Sequence, residues 1–255
     1  MTGYPVHSVF EDFTWDPAET MAGAADDWAY EHLGVYAWTT ELWDIIHAAT
    51  GKRASPKVWY TGPTPEEELA VLRWAQENHP EMYVDWYSFD HPQLGPVELG
   101  GWDALHSWAN PPASRLGAEV APHAAFAVFL ALAAPCLEIL GSAVERLGPA
   151  TWRVTVGIAN SGWLPTDVTD RARRQKLVLP LVVELSGAEV VSGPARIELG
   201  QLAGGVEARF RGGNDGTPDR AAAAWVLVAS EGSMVTVEAR HPRAGRRQIE
   251  IELFG

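Results

Sequence analysis

The sequence lacks several features that would place it at once in a broad class. Only one cysteine, Cys136, occurs in 255 residues, which excludes an internal disulfide framework and favours a reducing compartment. The longest apolar run, AAFAVFLALAAP from Ala124, is shorter than the roughly 20 residues that cross a bilayer, so we expect a buried helix and no membrane partner. The opening MTGYPVHSVFEDF has neither the basic start nor the apolar core of a signal peptide, which favours the cytoplasm but leaves the compartment open.

Positive charge is scarce in the first half. No Lys or Arg precedes Lys52, and residues 1–136 carry 19 acidic and 5 basic side chains, which accounts for the whole net charge of −14. Residues 137–255 carry 14 side chains of each sign. Because nucleic acid binding needs clustered cations, this distribution argues against a nucleic acid partner. The short cluster RARRQK at 171–176 is expected to be a solvated loop.

The first half mixes helix signals with short aromatic strands. The stretch TPEEELAVLRWAQENHP predicts a helix from Thr64, because Thr64 can cap it, Pro65 suits the first helical position and three glutamates follow. Its predicted core face is Leu69, Leu72 and Ala75 or Gln76. A second helix is predicted over about 114–134, and GVYAWTTELW reads as a strand rich in β-branched and aromatic residues.

The second half has the pattern of an all-β domain. Six segments of strand length, several of them alternating, are separated by Gly, Pro, Asn and Asp at short intervals. They are predicted at 151–160, 176–185, 189–200, 221–230, 233–240 and 247–253. This spacing is typical of a β-sandwich, here of immunoglobulin-like type. With a boundary near Pro135, we predict a first domain at 1–135 and a β-sandwich at 136–255.

Glu41 is an unusual residue for a predicted strand. Side chains alternate along a strand, so Val35, Ala37, Thr39 and Glu41 share one face while bulkier side chains occupy the other. The small neighbours leave space beside the carboxylate, and a partly apolar setting raises a carboxyl pKa toward the range of a proton shuttle. The residues alone leave two interpretations open, a catalytic base or a buried structural ion pair.

The segment DDWAYEHLGVYAWTTELW, residues 26–43, resembles the C-terminal catalytic segment of the zinc carboxypeptidases of the A and B type. In that family an Asp-Trp-x-Tyr turn precedes a Gly-containing strand that ends in Glu-Leu, and the spacing here fits without a gap. The resemblance covers roughly residues 3–115. The stretches HPQLGPVELGGWD from His91 and ANSGWLPTDVTDRA at 159–172 also resemble bacterial members.

The resemblance implies a partial α/β catalytic domain that removes C-terminal residues from peptides. In such a site zinc polarises the scissile carbonyl and a water molecule, and a glutamate, here Glu41, accepts the proton from that water. Asp26 matches the residue that holds the substrate's terminal side chain, which predicts basic substrates; its alternative role is that of a turn residue. The substrate-covering tyrosine should fall at 14–19, where Trp15 is the aromatic residue and a candidate substrate contact, with Tyr4 as a distant substitute.

The zinc ligands of that family are not found. None of the eight histidines is followed by Glu at the third position, and His7 precedes Glu11 by one residue too many. The sequence therefore resembles the latter part of a carboxypeptidase, with the metal ligands on a missing N-terminal segment or a partner chain. We expect such a chain to expose a sheet edge and apolar surface, to aggregate and to bind no stoichiometric zinc.

Two other functions remain open. Nine of the twelve tryptophans lie before residue 110, so the protein could be a non-catalytic module that binds peptides or carbohydrates on aromatic platforms. Against this, Trp28, Trp38 and Trp74 fall at positions expected to be buried. An inactive carboxypeptidase relative is the other alternative.

Overall fold

The structure, a computed structural model, describes residues 1–13, 16, 23–206 and 219–255. Within these ranges it combines helices with three antiparallel sheets, and strands dominate the C-terminal part. The chain divides into two compact units. The first comprises Met1–Ala22 and Thr39–Val128, and the second comprises Gly23–Trp38 and Phe129–Gly255.

Most helices are short and lie in the first half of the chain. Those of the described residues are α1 (Val9–Asp12), α2 (Ala25–Trp28), α3 (Ile45–Thr50), α4 (Val58–Thr61), α5 (Pro65–Asn78), α6 (Ala113–Ala133) and α7 (Asp170–Gln175). A π-helical turn at Ala29–Leu33 continues α2, and short 3₁₀ turns occur at Pro80–Met82 and Ala104–His106.

The predicted helix after Thr64 is confirmed as α5. Its capping box is complete, since the Thr64 side chain accepts from the Glu67 N–H at 3.2 Å and the Glu67 carboxylate accepts from the Thr64 N–H at 2.8 Å. The predicted core face is shifted, because Val71 and Ala75 are the buried residues while Leu69 is exposed. The first unit packs on a small cluster of buried residues: Trp43, Ile45, Ile46, Val71, Ala75 and Met82.

The strand predicted for residues 34–43 is wrong. No strand is formed there, and the one sheet described in the first unit is the hairpin of β1 (Tyr83–His91) and β2 (Gly95–Trp102). A strand needs a hydrogen-bonded neighbour, and no described strand pairs with this segment. The expected burial of Trp28 and Trp38 is also wrong, since their exposed fractions are 55% and 47%, whereas Trp74 is half-buried.

The long helix α6 is predicted well in extent but wrongly in burial. It runs over 21 residues and contains no buried residue, so the expectation of a buried helix is wrong. The apolar run from Ala124 forms only the C-terminal half of α6, which begins at Ala113. By length and composition alone, α6 could cross a membrane.

The second unit contains two four-stranded antiparallel sheets. One has the order β3 (Leu137–Gly148), β4 (Thr151–Asn160), β8 (Arg220–Val228) and β6 (Glu189–Ser192). The other has the order β10 (Gly245–Glu252), β9 (Met234–His241), β5 (Leu181–Ser186) and β7 (Arg196–Gly200). Apolar side chains from both sheets meet in one core, which includes Trp152, Val156, Leu181, Trp225 and Val237, each at most 1% exposed.

Several details of this unit differ from the prediction, and the strand predicted at 176–185 begins only at Leu181 as β5. The single strand predicted at 189–200 is divided into β6 and β7, because Gly193 has a φ of +83° and Pro194 has no N–H for a ladder. Strand β3 was missed, and the predicted loop at 171–176 is largely the helix α7. Thr169 caps that helix by accepting from the Ala172 N–H at 3.1 Å.

His241 is a buried titratable residue of this unit. Its Nδ1 accepts from the backbone N–H groups of Arg243 and Ala244 at 3.1 and 3.2 Å, and its Nε2 lies 3.0 Å from Gln201 Oε1. Burial and then the charge of Arg243 lower the pKa of His241 to about 4. The imidazole is therefore neutral in the folded protein at neutral pH, with its proton on Nε2.

We expect the second unit to lose stability as the pH falls from about 6.5 to about 4. In that window the unfolded chain binds a proton on His241 that the folded chain does not bind, so the stabilisation present above the unfolded pKa is lost toward the folded pKa of about 4. The loss is at most about 3 kcal/mol. The measurement is urea unfolding followed by the fluorescence of buried Trp152 and Trp225.

The variant His241→Asn retains an acceptor for the two N–H groups but cannot titrate, so its stability should change less with pH over this range. His106→Asn is the control, because the His106 side chain is 60% exposed. Equal pH slopes for wild type and His241→Asn would contradict the assignment.

Candidate functional site

Glu41 lies in an irregular segment of the first unit rather than at the end of a strand. Its side chain is exposed and forms no ion pair or hydrogen bond with another described residue. The alternative of a closed structural ion pair therefore finds no partner in the described part of the chain. The Glu41 carboxylate is therefore accessible to solvent and to a ligand.

The backbone just after Glu41 is firmly held. Trp43 is 8% exposed, its indole N–H donates to the Ser107 carbonyl at 2.6 Å, and its backbone N–H donates to the Tyr4 hydroxyl at 2.9 Å. Trp43 also has a φ of +82°, a conformation that bulky residues rarely adopt. Such backbone strain persists only where surrounding contacts impose it, and it occurs often at functional sites.

Tyr4 connects this backbone to helix α6. Its hydroxyl accepts from Trp43 and donates to the Glu119 carboxylate. Burial, followed by the nearby Glu119 carboxylate, raises the pKa of Tyr4. The phenol therefore keeps its proton at neutral pH, and the proton serves the hydrogen bond to Glu119.

Two arginines pack on the aromatic rings around this point. The Arg53 guanidinium lies 4.5 Å from the centre of the Tyr4 ring, and Arg115 lies 5.8 and 5.5 Å from the rings of Trp43 and Trp74. Cation–π contacts of this kind contribute about 0.5–1 kcal/mol each where they are exposed. They bring positive charge close to the backbone that carries Glu41.

The other predicted site residues are placed separately. Asp26 is half-buried in the first turn of α2, where a carboxylate complements the positive end of a helix, and it belongs to the second unit while Glu41 belongs to the first. The alternative role of Asp26 as a turn residue is compatible with this place. Trp15 lies outside the described residues.

The segment that carries Asp26 ends in contacts with the loop and helix around α7. Gly34 closes the helical run with a φ of +61°, and its carbonyl accepts from the Thr169 hydroxyl at 2.6 Å and from Arg243 Nη1 at 3.2 Å. Arg243 also donates to the carbonyls of Leu33 and Asp167. A Cβ added at Gly34 would stand 2.6 Å from the Ala172 Cβ, so only glycine fits this approach.

The described residues do not form a zinc site, since they contain no group of three or more His, Cys, Asp or Glu side chains placed to hold a metal. They do form a shallow depression of about 370 Å³ on the β1–β2 hairpin of the first unit. Its lining residues are Ser88, Phe89, Asp90, Pro96, Val97 and Glu98.

Sequence reasoning missed the residues that support the site. Tyr4 was considered only as a distant substitute for a substrate contact, yet it lies against the backbone two residues after Glu41. Glu119 and Arg243 were not identified at all. No sequence signal marks these partners, because 115 residues separate Tyr4 from Glu119 and 209 separate Arg243 from Gly34.

We expect Tyr4→Phe to destabilise the first unit by about 1–3 kcal/mol, because the change leaves the Trp43 N–H and the Glu119 carboxylate without their shared partner. Amide hydrogen exchange at residues 41–45 should accelerate. Tyr87→Phe is the control, since Tyr87 is 51% exposed. Equal exchange rates at 41–45 in wild type and Tyr4→Phe would contradict a holding role for the hydroxyl.

The comparisons with known proteins concern mainly the second unit. A family model described as a domain of unknown function (DUF8731) matches residues 136–252, which include all strands from β3 to β10. No curated protein matches the sequence. The β-rich part of the chain is thus similar to a recognised domain family whose description assigns no activity.

Proposed function

We propose that this chain provides the general base and part of the substrate-binding surface of a metallocarboxypeptidase-type peptide hydrolase. The observation that carries the proposal is the exposed Glu41 carboxylate, which has no partner among the described residues and lies two residues before a strained and tightly held Trp43. The resemblance of residues 26–43 to the zinc carboxypeptidases supplies the reaction class. Glu41 is the catalytic residue, and Tyr4 and Glu119 are positioning residues.

In this reaction Glu41 accepts a proton from the water that attacks the scissile carbonyl. The new C–O bond forms as that proton reaches the carboxylate, and the same proton passes to the amine nitrogen when the C–N bond breaks. A base acts only when it is held within hydrogen-bond reach of the water, so the fixed backbone at Trp43 favours this role. Zinc, when bound, would polarise the carbonyl and the water.

We infer that the metal ligands lie on polypeptide outside the described residues, in an additional N-terminal segment or a partner chain. The many exposed apolar side chains of the first unit support this inference. Val6, Phe10 and Leu94 are 97%, 76% and 74% exposed, and α6 has no buried residue. Apolar surface of this extent favours a covering partner. The hydrogen bond of Glu119 and the ring contacts of Arg115 favour protein rather than lipid as that partner.

Asp26 is the proposed determinant of substrate choice. A carboxylate at the base of a side-chain pocket attracts a C-terminal Lys or Arg of the peptide. The first part of the chain is acidic, which also favours cationic over anionic peptides. Trp15 is retained as a proposed substrate contact.

For the fold we propose a partial carboxypeptidase-like first domain followed by an immunoglobulin-like sandwich. The strands β3, β4 and β8 pair in one sheet and β5, β9 and β10 in the other, as strands A, B, E and C, F, G do in immunoglobulin domains. The departure is the order of β6 and β7, which lie at the outer edges of opposite sheets. The second domain then has an accessory role.

A second candidate function is a binding module for peptides or carbohydrates. The observation that favours it is the exposure of Trp86, Tyr87 and Phe89, which are 61%, 51% and 41% exposed on β1 beside the depression on the hairpin. Aromatic faces beside polar groups are typical of such recognition.

The catalytic proposal predicts that Glu41→Gln lowers kcat by roughly 10²–10⁴-fold, because the amide cannot accept the proton. The chain is expressed together with the polypeptide proposed to carry the metal ligands, and release of C-terminal Arg from a peptide is measured. Zinc content, measured by mass spectrometry, should be equal in variant and wild type.

Glu77→Gln is the matched control, an exposed glutamate of the same unit on α5. It should leave kcat unchanged. A Glu41→Gln variant that retains full activity, or a wild type without activity when zinc is bound, would refute the catalytic role.

The binding-module alternative predicts that Trp86→Ala weakens binding on peptide or glycan arrays at least tenfold, because peptide side chains or sugar rings would lose a stacking surface. The full chain without any partner should then bind. Absence of binding by the wild type would exclude this alternative for the ligands on the array.

A further inference from the structure

From the contacts of Arg243, Thr169 and Ala172 we infer that the β-rich part of the second unit positions the proposed substrate-selecting segment, which belongs to the same unit. The segment concerned is Ala25–Gly34, called here the Asp26 segment. The inference rests on the proposed function, since it gives the accessory β-rich domain a part in substrate selection. Arg243 and Thr169 are then positioning residues that act through Asp26.

The Asp26 segment ends in backbone carbonyls that need hydrogen-bond partners. The last carbonyls of a helical run have no partner within the helix and carry partial negative charge. In the Asp26 segment the Leu33 and Gly34 carbonyls accept from Arg243, and Gly34 accepts also from Thr169 at 2.6 Å. A cation therefore occupies the negative end of the segment, and its first turn carries Asp26 and Asp27.

The end of the Asp26 segment packs closely against α7 and the residue before it. Gly34 is buried, Thr169 is 4% exposed and Ala172 is 0% exposed, so water is excluded where the segment meets α7. Hydrogen bonds from a charged donor are stronger than those between neutral groups. Arg171 adds a peripheral ion pair with Glu31, which contributes little because Glu31 is exposed and Arg171 only half-buried.

Arg243 connects the Asp26 segment to the β-rich part of the second unit. Arg243 follows β9 directly and also donates to the Asp167 carbonyl, so it joins the sheet, the loop before α7 and the Asp26 segment. A pocket carboxylate selects a cationic side chain only while it stays in place, and a misplacement of about 1 Å can cost 10²-fold in rate. A domain that fixes the segment end therefore influences which substrate is accepted.

The test is amide hydrogen exchange by mass spectrometry on the full chain. In Arg243→Ala, exchange over residues 29–38 should accelerate at least tenfold while exchange in β4 and β8 stays unchanged, and Arg243→Lys should restore part of the protection. Arg240→Ala is the matched control, because Arg240 lies on β9 three residues before Arg243 and makes an exposed ion pair with Glu184 at 3.9 Å. Unchanged exchange at 29–38 in Arg243→Ala would overturn the inference.

A second variant guards against misfolding of the β-rich domain. Gly34→Ala acts from the other side of the contact, lies outside residues 136–252 and should also accelerate exchange at 29–38, since its Cβ meets Ala172. Protection equal to wild type in this variant would again count against the inference.

The link to substrate selection has its own readout. With the polypeptide proposed to carry the metal ligands supplied, Arg243→Ala should raise KM at least fivefold for a peptide ending in Arg while kcat and the KM for a peptide ending in Phe stay unchanged. An unaltered KM for the Arg peptide overturns the selective role. If the wild type hydrolyses neither peptide, the proposed function fails, and the exchange data alone uphold or overturn the positioning of the segment.

Discussion

The apolar contact between the two four-stranded sheets is the interaction on which the described structure most depends. Trp152, Trp225, Leu181 and Val237 from both sheets are all at most 1% exposed, and full burial of one such side chain contributes about 1.5–3 kcal/mol. This core fixes the ends of the strands, and with them Arg243 after β9 and the loop before α7. The precision of the contacts at Gly34 therefore derives from a core to which Gly34 does not belong.

The first unit has a much smaller core, and its local structure reflects that difference. Six buried apolar residues form the core cluster of its described part, so single polar contacts carry more of the order. The Tyr4 hydroxyl is the main example, because it connects the N-terminal residues, the Trp43 backbone and α6. Residues 39–42 of this unit form no regular structure.

Local signals predicted what local interactions determine. Thr64, Pro65 and Glu67 predicted α5, because capping involves residues only three positions apart. Alternating apolar and polar residues, separated by turn residues, predicted most strands of the second unit. The strand at Glu41 could not be judged in this way, since strand formation depends on a neighbour distant in sequence. For the same reason Glu41 and Asp26 could be selected as candidates while their supports, Tyr4, Glu119 and Arg243, could not.

The exposure of Glu41 determines what a catalytic function requires of the rest of the site. An exposed carboxylate in bulk water is a weak base and its charge is strongly screened, whereas a catalytic carboxylate acts in a site from which bulk water is excluded. The contacts at Trp43 fix the position of the backbone near Glu41 but do not exclude water from its carboxylate. A surface that covers this site would both exclude water and supply metal ligands. The exposed apolar side chains of the first unit are suited to contact such a surface. One covering polypeptide could therefore bring both, because the surface that excludes water from Glu41 is also the surface from which ligands can reach a metal beside it.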